Sequence, residues 1–295
     1  MTTTQTTTVQ RSPRRPNILQ RLWGGLSTVF RSRVATIGLA IVVFWILVAL
    51  FAPLIAPHDP LAQNSKAMNQ GPSATYPLGT DKMGRDVMSR LVYGARTILI
   101  LAPISVFLSV LVGTAMGLSG AYFGGAADET IMRLLDAIMA FPTILLYLII
   151  ISAIGPSPVN VVIAITFVGA PGVARLVRSL ALDVRTRDYI QAAKTRGESS
   201  LYIMWVEILP NARGPLIIDA MLRVGYAIFA IGTLGFLGLG LPPPTPDWGG
   251  MINEARRYIW TNPLGVLWPA LAIASLVVGL NLFADGLREE STRYQ

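Results

Sequence analysis

Residues 34–56 read VATIGLAIVVFWILVALFAPLIA, a run of 23 residues that contains no charged side chain. A helix needs about 20 mostly apolar residues to cross roughly 30 Å of hydrocarbon, so this run is long enough to span a bilayer. It is also longer than the roughly 7 to 15 apolar residues of a secretory signal peptide, and we expect an uncleaved membrane anchor. The run therefore predicts an all-α integral membrane protein.

The composition of the whole chain agrees with a membrane protein. Of its 295 residues, 53% are hydrophobic and only 14% are charged, whereas soluble domains have about 25% charged residues. The chain has no cysteine and a single histidine, His58, which excludes thiolate sites and paired-histidine zinc sites. None of its three lysines follows a glycine, so no phosphate-binding loop can be written. We expect that this chain binds no cofactor or metal, has no catalytic residue, and depends on another chain for any ATP hydrolysis.

Five further apolar runs resemble the first, although some are interrupted by proline or by ionisable residues. The third, for example, has Asp136 and Pro142 near its start. Proline and glycine are tolerated in spanning helices when neighbouring helices satisfy the backbone. The sequence thus predicts six transmembrane helices, at residues 34–56, 97–119, 134–154, 159–180, 214–239 and 264–287.

The basic residues predict the orientation of these helices. Of 24 Lys and Arg residues, 16 lie on the side that includes the amino terminus and seven lie on the other. Because cytoplasmic loops are enriched in Lys and Arg, both termini are predicted to be cytoplasmic. The net charge of +8 is thus interpreted as a topology signal, and no nucleic acid is expected as a partner. The expected organisation is a basic, partly disordered tail (1–33), the first span (34–56), an outer loop (57–96), a core (97–290) that includes a cytoplasmic loop (182–214), and a short tail (291–295).

The outer loop is about 40 residues long, which is more than a simple connection requires. Its second half, residues 76–96, reads YPLGTDKMGRDVMSRLVYGAR and alternates glycines with acidic and basic residues. One interpretation is a capped, solvated helix that leads into the second span. The other is a structured outer surface at which a partner docks.

The cytoplasmic loop reads LDVRTRDYIQAAKTRGESSLYIMWVEILPNARG and predicts a helix-turn-helix. Thr186 is the expected N-cap of the first helix, and Gly197 is the expected left-handed residue at its end. The second helix is expected to start at Ser199 or Ser200 and to stop at Pro210. Its apolar face must be buried, either against lipid as an interfacial helix or against a protein at the cytoplasmic surface.

The sequence QAAKTRG, followed after nine residues by EILP, resembles the EAA loop of binding-protein-dependent ABC importer permeases. The stretches GTLGFLGLGLPPPTPDWGGMI (232–252) and NLFADGLRE (281–289) are similar to the second permease of dipeptide and oligopeptide importers. The resemblance covers about residues 30–291. Its spacing matches at Ala192, Ala193, Gly197, Leu209 and Pro210, whereas Gln191 and Glu207 differ from the residues usual in the family.

The resemblance implies a type I ABC importer permease fold in a bacterial inner membrane. The expected partners are a second homologous permease, two ATPase subunits that bind ATP and Mg, an extracytoplasmic substrate-binding protein, and membrane lipid. The cargo would be a dipeptide, an oligopeptide or a related small solute. The ATPase-coupling role is expected to fall on Gln191, Ala192, Ala193, Gly197, Glu207, Leu209 and Pro210, with the two alanines allowing close approach and Gly197 fixing the turn.

Ionisable residues inside spans are energetically costly and are often functional. Asp219 and Arg223 lie four residues apart on the fifth span, and Asn281 and Asp285 on the sixth, so each pair shares a helix face. Each pair is interpreted either as a structural bond near the cytoplasmic interface or as a substrate contact. Other side chains have simpler expected roles: Arg175 and Arg178 extend to the inner surface, the glycines at 232, 235, 238 and 240 permit close helix packing, and Trp248, Trp260 and Trp268 form an aromatic belt.

Other classes of membrane protein fit the sequence less well. A self-contained secondary transporter is the main alternative, but it would place coupling-ion sites near the bilayer midplane, where Arg223 is the one candidate charge. A membrane-embedded enzyme would need catalytic groups that the sequence does not offer. A non-transporting scaffold would leave the cytoplasmic helix pair without a role.

Overall fold

The computed structural model describes residues 32–293, with side chains described to residue 289. The expected basic tail therefore lies outside the described residues up to residue 31, and so do residues 294–295. The helices are α1 (Arg33–Leu50), α2 (Ala52–Ile55), α3 (Val87–Phe123), α4 (Gly125–Met139), α5 (Thr143–Ile154), α6 (Pro158–Val184), α7 (Asp188–Thr195), α8 (Ser200–Tyr202), α9 (Leu209–Phe236), α10 (Trp248–Ala255) and α11 (Leu264–Arg293). A π turn, Ile203–Ile208, joins α8 to α9 without a break.

Five helical segments of the described chain are long and apolar enough to cross a membrane: α1, α3, α6, the continuous α8–α9 helix, and α11. Helices α4 and α5 bend by 89° at a short break and make a sixth span if they are counted together. The span predicted over 134–154 is therefore made of parts of two helices rather than one. The break falls at Phe141 and Pro142, because proline lacks an N–H and disfavours helical geometry in the residue before it.

Helix α3 is longer than the sequence predicted, because it begins at Val87 inside the expected outer loop. Asp86 caps it by accepting a hydrogen bond from the backbone N–H of Ser89 at 2.9 Å. Asp86 is the kind of residue that favours an N-cap position, so the capped-helix interpretation of this loop is confirmed. The helix is not solvated as that interpretation supposed, since Ser89 and Arg90 in its first turn are buried.

Small residues allow the long helices to pack closely. Gly113 and Gly117 of α3 face α6. A Cβ added at Gly113 would lie 2.6 Å from the carbonyl oxygen of Ala170. Gly38 of α1 faces α11 in the same way, and its added Cβ would lie 2.6 Å from the Gly279 carbonyl oxygen. Such contacts are typical of helix association in membranes. They fix α1 against α11 and α3 against α6.

Two ion pairs attach α6 to α4. Arg178 donates to both carboxylate oxygens of Asp128, at 2.6 and 2.5 Å. Arg175 donates to Asp136 one turn along. Both arginines remain partly exposed, as expected of side chains that extend to a surface, and the ion pairs are an addition to that expectation. The carboxylates that bind them lie on α4, and the position of α4 depends on the break at Pro142. Local sequence patterns do not predict these ion pairs.

Candidate coupling site and membrane cavity

The cytoplasmic loop forms the predicted pair of helices around Gly197. Helix α7 ends at Thr195, and Gly197 follows with a φ of +77°, a left-handed conformation that favours glycine. The N–H of Glu198 then donates to the carbonyl of Ala193 at 3.2 Å, which closes the helix end. Ser199 begins the second helix by accepting from the N–H of Tyr202 at 3.2 Å. The turn geometry and the second helix start are confirmed.

Two details of this predicted pair are wrong. Thr186 is not the N-cap of the first helix, since Arg187 occupies that position and no side chain caps it. Pro210 does not end the second helix, which continues through the π turn into α9. In the π turn the N–H of Leu209 bonds to the carbonyl of Met204, five residues earlier. Pro210 lies in the first α-helical turn after it, where a missing N–H is tolerated.

One face of the helix pair is buried within the chain itself. Ile190, Ala193, Ile203, Met204 and Ile208 form a core cluster with residues of α3 and α6. These apolar side chains are therefore buried against other helices of the chain, and burying them does not require the pair to lie on lipid. The cluster fixes the pair to the C-terminal ends of α3 and α6.

The opposite face of the pair is exposed. Gln191 and Ala192 are exposed on α7, whereas Ala193 points into the cluster. Arg196 in the turn lies 3.6 Å from Glu207 of the π turn and so connects the two helices. Leu209 is half-buried and Pro210 is exposed. The predicted coupling residues therefore divide between a buried set and a surface set.

A cavity of about 440 Å³ lies between α3, α5, α6 and α9, with part of its wall from α4. Arg223 of α9 lines it and donates through Nε to Asp219 and through Nη1 to the carbonyl oxygen of Gly169 at 3.3 Å. Asn281 and Asp285 do not lie in the lining, and Asn281 is instead next to Gly225, where an added Cβ would lie 3.2 Å from its Oδ1. The structure thus separates the two polar pairs, and only Arg223 faces the cavity.

The second half of the outer loop holds a buried cluster of charges. Arg85 lies 2.6 Å from both Asp81 and Glu254, and Arg90 bonds to the same two carboxylates. Burial raises the pKa of Asp81, but the guanidinium groups of Arg90 and Arg85 and two backbone N–H donors outweigh it and hold the pKa below its usual value. Glu254 belongs to α10, so the cluster joins the outer loop to a segment 169 residues away.

A second buried carboxylate, Asp247, caps α10. It accepts from the N–H of Gly250 at 2.8 Å and packs against Gly235 of α9. Burial raises its pKa to about 6, although the hydrogen bonds from Gly250 and Gly249 act in the other direction. Asp247 was not among the predicted site residues, although an aspartate directly before the WGG of a short helix is a recognisable N-cap signal. Glu254 was not among them either, and local sequence gives no signal for it.

Trp248, next to Asp247, is buried rather than part of an interfacial belt. Its ring centroid lies 4.9 Å from that of Trp45, and its Nε1 donates to the Leu91 carbonyl at 2.8 Å. The belt prediction is wrong for this residue, whereas Trp260 is 95% exposed. The glycine-packing prediction is confirmed at Gly235, where an added Cβ would lie 2.7 Å from the nitrogen of Gly250, whereas Gly238 and Gly240 lie beyond the end of α9.

Comparisons with known proteins agree with these features. Residues 109–289 match the family model described as the binding-protein-dependent transport system inner membrane component. Residues 25–72 match the N-terminal transmembrane domain of oligopeptide transport permease C.

Similar relatives cover most of this chain. The dipeptide transport system permease protein DppC of Haemophilus influenzae is 39% identical over 284 residues, which is 94% of this chain and 95% of that protein. DppC of Alkalihalophilus pseudofirmus is 41% identical over 259 residues, covering 88% of this chain and 85% of that protein. The glutathione transport system permease protein GsiD of Pectobacterium atrosepticum is 37% identical over 262 residues, covering 88% and 86%.

Among solved structures, a chain of the MetNI methionine ABC transporter in inward-facing conformations is similar to this one. It aligns with a TM-score of 0.55 at 21% identity, covering 69% of this chain and 97% of that chain. This likeness supports the fold.

The matched family model, the permease relatives and the apolar helices together define the class of this chain as a membrane-embedded transport permease. The chain belongs to the family of binding-protein-dependent transport system inner membrane components. It is an inner-membrane permease subunit of an ABC importer, and partner ATPase subunits hydrolyse the ATP.

Proposed function

We propose that this permease imports dipeptides or oligopeptides that an extracytoplasmic binding protein delivers. The support comes from relatives that cover most of the chain and whose names specify dipeptide or glutathione transport. A second, homologous permease subunit would complete the pathway. The bent pair α4–α5 counts as one span in this proposal, which gives six spans with both termini in the cytoplasm.

The surface that receives the ATPase subunits is the exposed face of the cytoplasmic helix pair. Ala192 offers a short side chain where a partner approaches closely, and Gly197 provides the turn that only a left-handed residue allows. Gln191 adds a polar contact on the same face, and Glu207 holds the turn through Arg196. Ala193 has a different role from the one expected, since it packs inward and fixes the pair to the bundle.

One observation carries the coupling mechanism: the helix pair and the cavity share a continuous helix. The α8–α9 helix runs from Ser200 to Phe236, so its first turns form the coupling site and its middle carries Arg223. Leu209 and Pro210 lie at the junction, directly after the π turn. A displacement of the helix pair by ATPase closure would therefore move one wall of the cavity. Transport then follows from a shift between packed states that ATP and substrate bias differently.

Reconstitution tests the proposal. The chain is purified from native membrane, its co-purifying subunits are identified, and the complex is placed in vesicles with its binding protein. Labelled dipeptide should accumulate only when ATP with Mg²⁺ is supplied on the ATPase side. Accumulation by vesicles that contain this chain alone, without an ATPase, would instead indicate a self-contained secondary transporter.

A further inference from the structure

Arg223 occupies an unusual place for a charged side chain. It lies 23 residues from the start and 13 residues from the end of the continuous α8–α9 helix, well inside a segment that is long and apolar enough to span a membrane. A charge at such a depth is costly, and it commonly marks a substrate or ion pathway. Asp219 offsets the charge through a hydrogen bond from Nε. The remaining question is what the other side of the guanidinium group does.

The hydrogen-bond donors of Arg223 are not all used by the chain. A guanidinium group carries five N–H donors. Nε donates to Asp219 and Nη1 donates to Gly169, while Nη2 has no acceptor among residues 32–293. An added Cβ at Gly172 would lie 3.0 Å from both Nη atoms, so the absence of a side chain there leaves room for the planar group. The Nη edge therefore retains donors for another molecule.

The surroundings of that edge favour an anionic ligand. Within the described chain, Arg223 is the one charged residue in the cavity lining, which is otherwise apolar with a few hydroxyl groups from residues such as Ser109, Thr143, Tyr147 and Tyr226. The cavity volume of about 440 Å³ is within the range of sites for small molecules. A planar pair of N–H donors in an apolar site matches the two oxygens of a carboxylate.

We propose that Arg223 binds the C-terminal carboxylate of the peptide while it passes through this cavity. The inference rests on the proposed function, since it takes a peptide as the cargo. Asp219 is then a positioning residue, which holds the guanidinium group by Nε so that the Nη edge faces the cavity.

The test compares two forms of one dipeptide, with a free C-terminal carboxylate and with a C-terminal amide. Uptake is measured in vesicles that contain the complete complex and its binding protein. The variants are Arg223→Lys, which keeps the charge beside Asp219, and the neutral double variant Asp219→Asn with Arg223→Gln. The control is Arg175→Gln, which removes an arginine that lies outside the cavity lining and bonds to Asp136.

The binding protein is the same in all vesicles, so its own preference cancels when uptake ratios are compared between variants. We expect the acid-to-amide ratio to fall about 10-fold or more in the double variant, since bonds to charged groups are the strong ones. Arg223→Lys should give an intermediate ratio because lysine cannot bind with two parallel N–H bonds. Arg175→Gln should keep the parent ratio.

An unchanged ratio in both Arg223 variants, whether or not the overall uptake falls, would overturn the assignment and leave peptide import standing. Parent vesicles that hydrolyse ATP but take up neither form would overturn peptide import, and the carboxylate assignment with it.

Discussion

The two ends of this permease treat their charges in opposite ways. On the outer side, Arg85 and Arg90 are 3% and 4% exposed and bond to Asp81 and Glu254. On the cytoplasmic side, Arg187 is 56% exposed, and its bond to Asp183 lies at the surface. The arginines of the first end are paired and buried within the chain, whereas the helix pair around Gly197 has one exposed face. Both loops pair their charges within the chain, and they differ in how deeply those pairs are buried.

The largest expected effect comes from breaking the outer cluster. Arg90→Met leaves Asp81 and Glu254 with one cation fewer in a buried site, which should lower the free energy of unfolding by about 3 to 5 kcal/mol. The matched change at the other end, Arg187→Met, breaks an exposed pair and should cost about 0.5 kcal/mol or less. Thermal unfolding of both purified variants in detergent measures the difference. Equal losses would contradict the distinction between the two ends.

The second expected effect is a pH dependence that arises from Asp247. Its pKa of about 6 lies above the ordinary value near 4, so the folded protein holds the proton more tightly than the unfolded chain does. Stability from this group is therefore complete below about pH 4 and is lost as the pH rises to about 6, by about 3 kcal/mol in total. Asp247→Asn should flatten the unfolding profile over this window. A parent profile that is already flat there would show that Asp247 ionises normally in the folded protein.

A smaller effect separates two glycines on the same helix, α9. Gly235→Ala at the outer end places a Cβ 2.7 Å from the nitrogen of Gly250 and should destabilise by about 1 to 3 kcal/mol. Gly214→Ala near the cytoplasmic helix pair meets no atom within 4 Å and should stabilise by about 0.5 to 1 kcal/mol, because alanine is the better helix former. The two changes in melting temperature should thus have opposite signs. A shift in the same direction for both would mean that the outer end is packed no more tightly than the inner one.

The sequence predicted those features that depend on local chemistry. The apolar runs located the spans, Gly197 located the turn, and Ser199 located the start of the second helix. Each of these is decided within a few residues of chain. A capped helix in the outer loop was one of the two interpretations, and Asp86 is the residue that caps it.

The sequence did not predict features that depend on distant segments. Glu254 and Asp81 form ion pairs with the same arginines although they lie far apart in the chain. Trp248 is buried because Trp45 lies beside it. The prediction that the second helix stops at Pro210 was wrong for a different reason. A proline usually ends a helix, but a π turn before it allowed the helix to continue.

The central claim is that the exposed face around Gly197 couples the bundle to the ATPase subunits, and a pair of valine substitutions tests it most directly. Gly197 and Gly155 have similar positive φ values, +77° and +88°, and an added Cβ meets no atom within 4 Å at either. Gly197→Val and Gly155→Val therefore both introduce backbone strain, at opposite faces of the proposed topology. The strain is greater at Gly155, whose ψ of 156° lies in a region that is essentially restricted to glycine, so Gly155→Val is a stringent control.

The measurement is ATP-dependent uptake together with the amount of ATPase subunit that co-purifies, each normalised to the permease present in the membrane. We predict that Gly197→Val abolishes uptake and releases the ATPase subunits, while Gly155→Val retains them. Full retention of the ATPase subunits and of uptake by Gly197→Val would contradict the account.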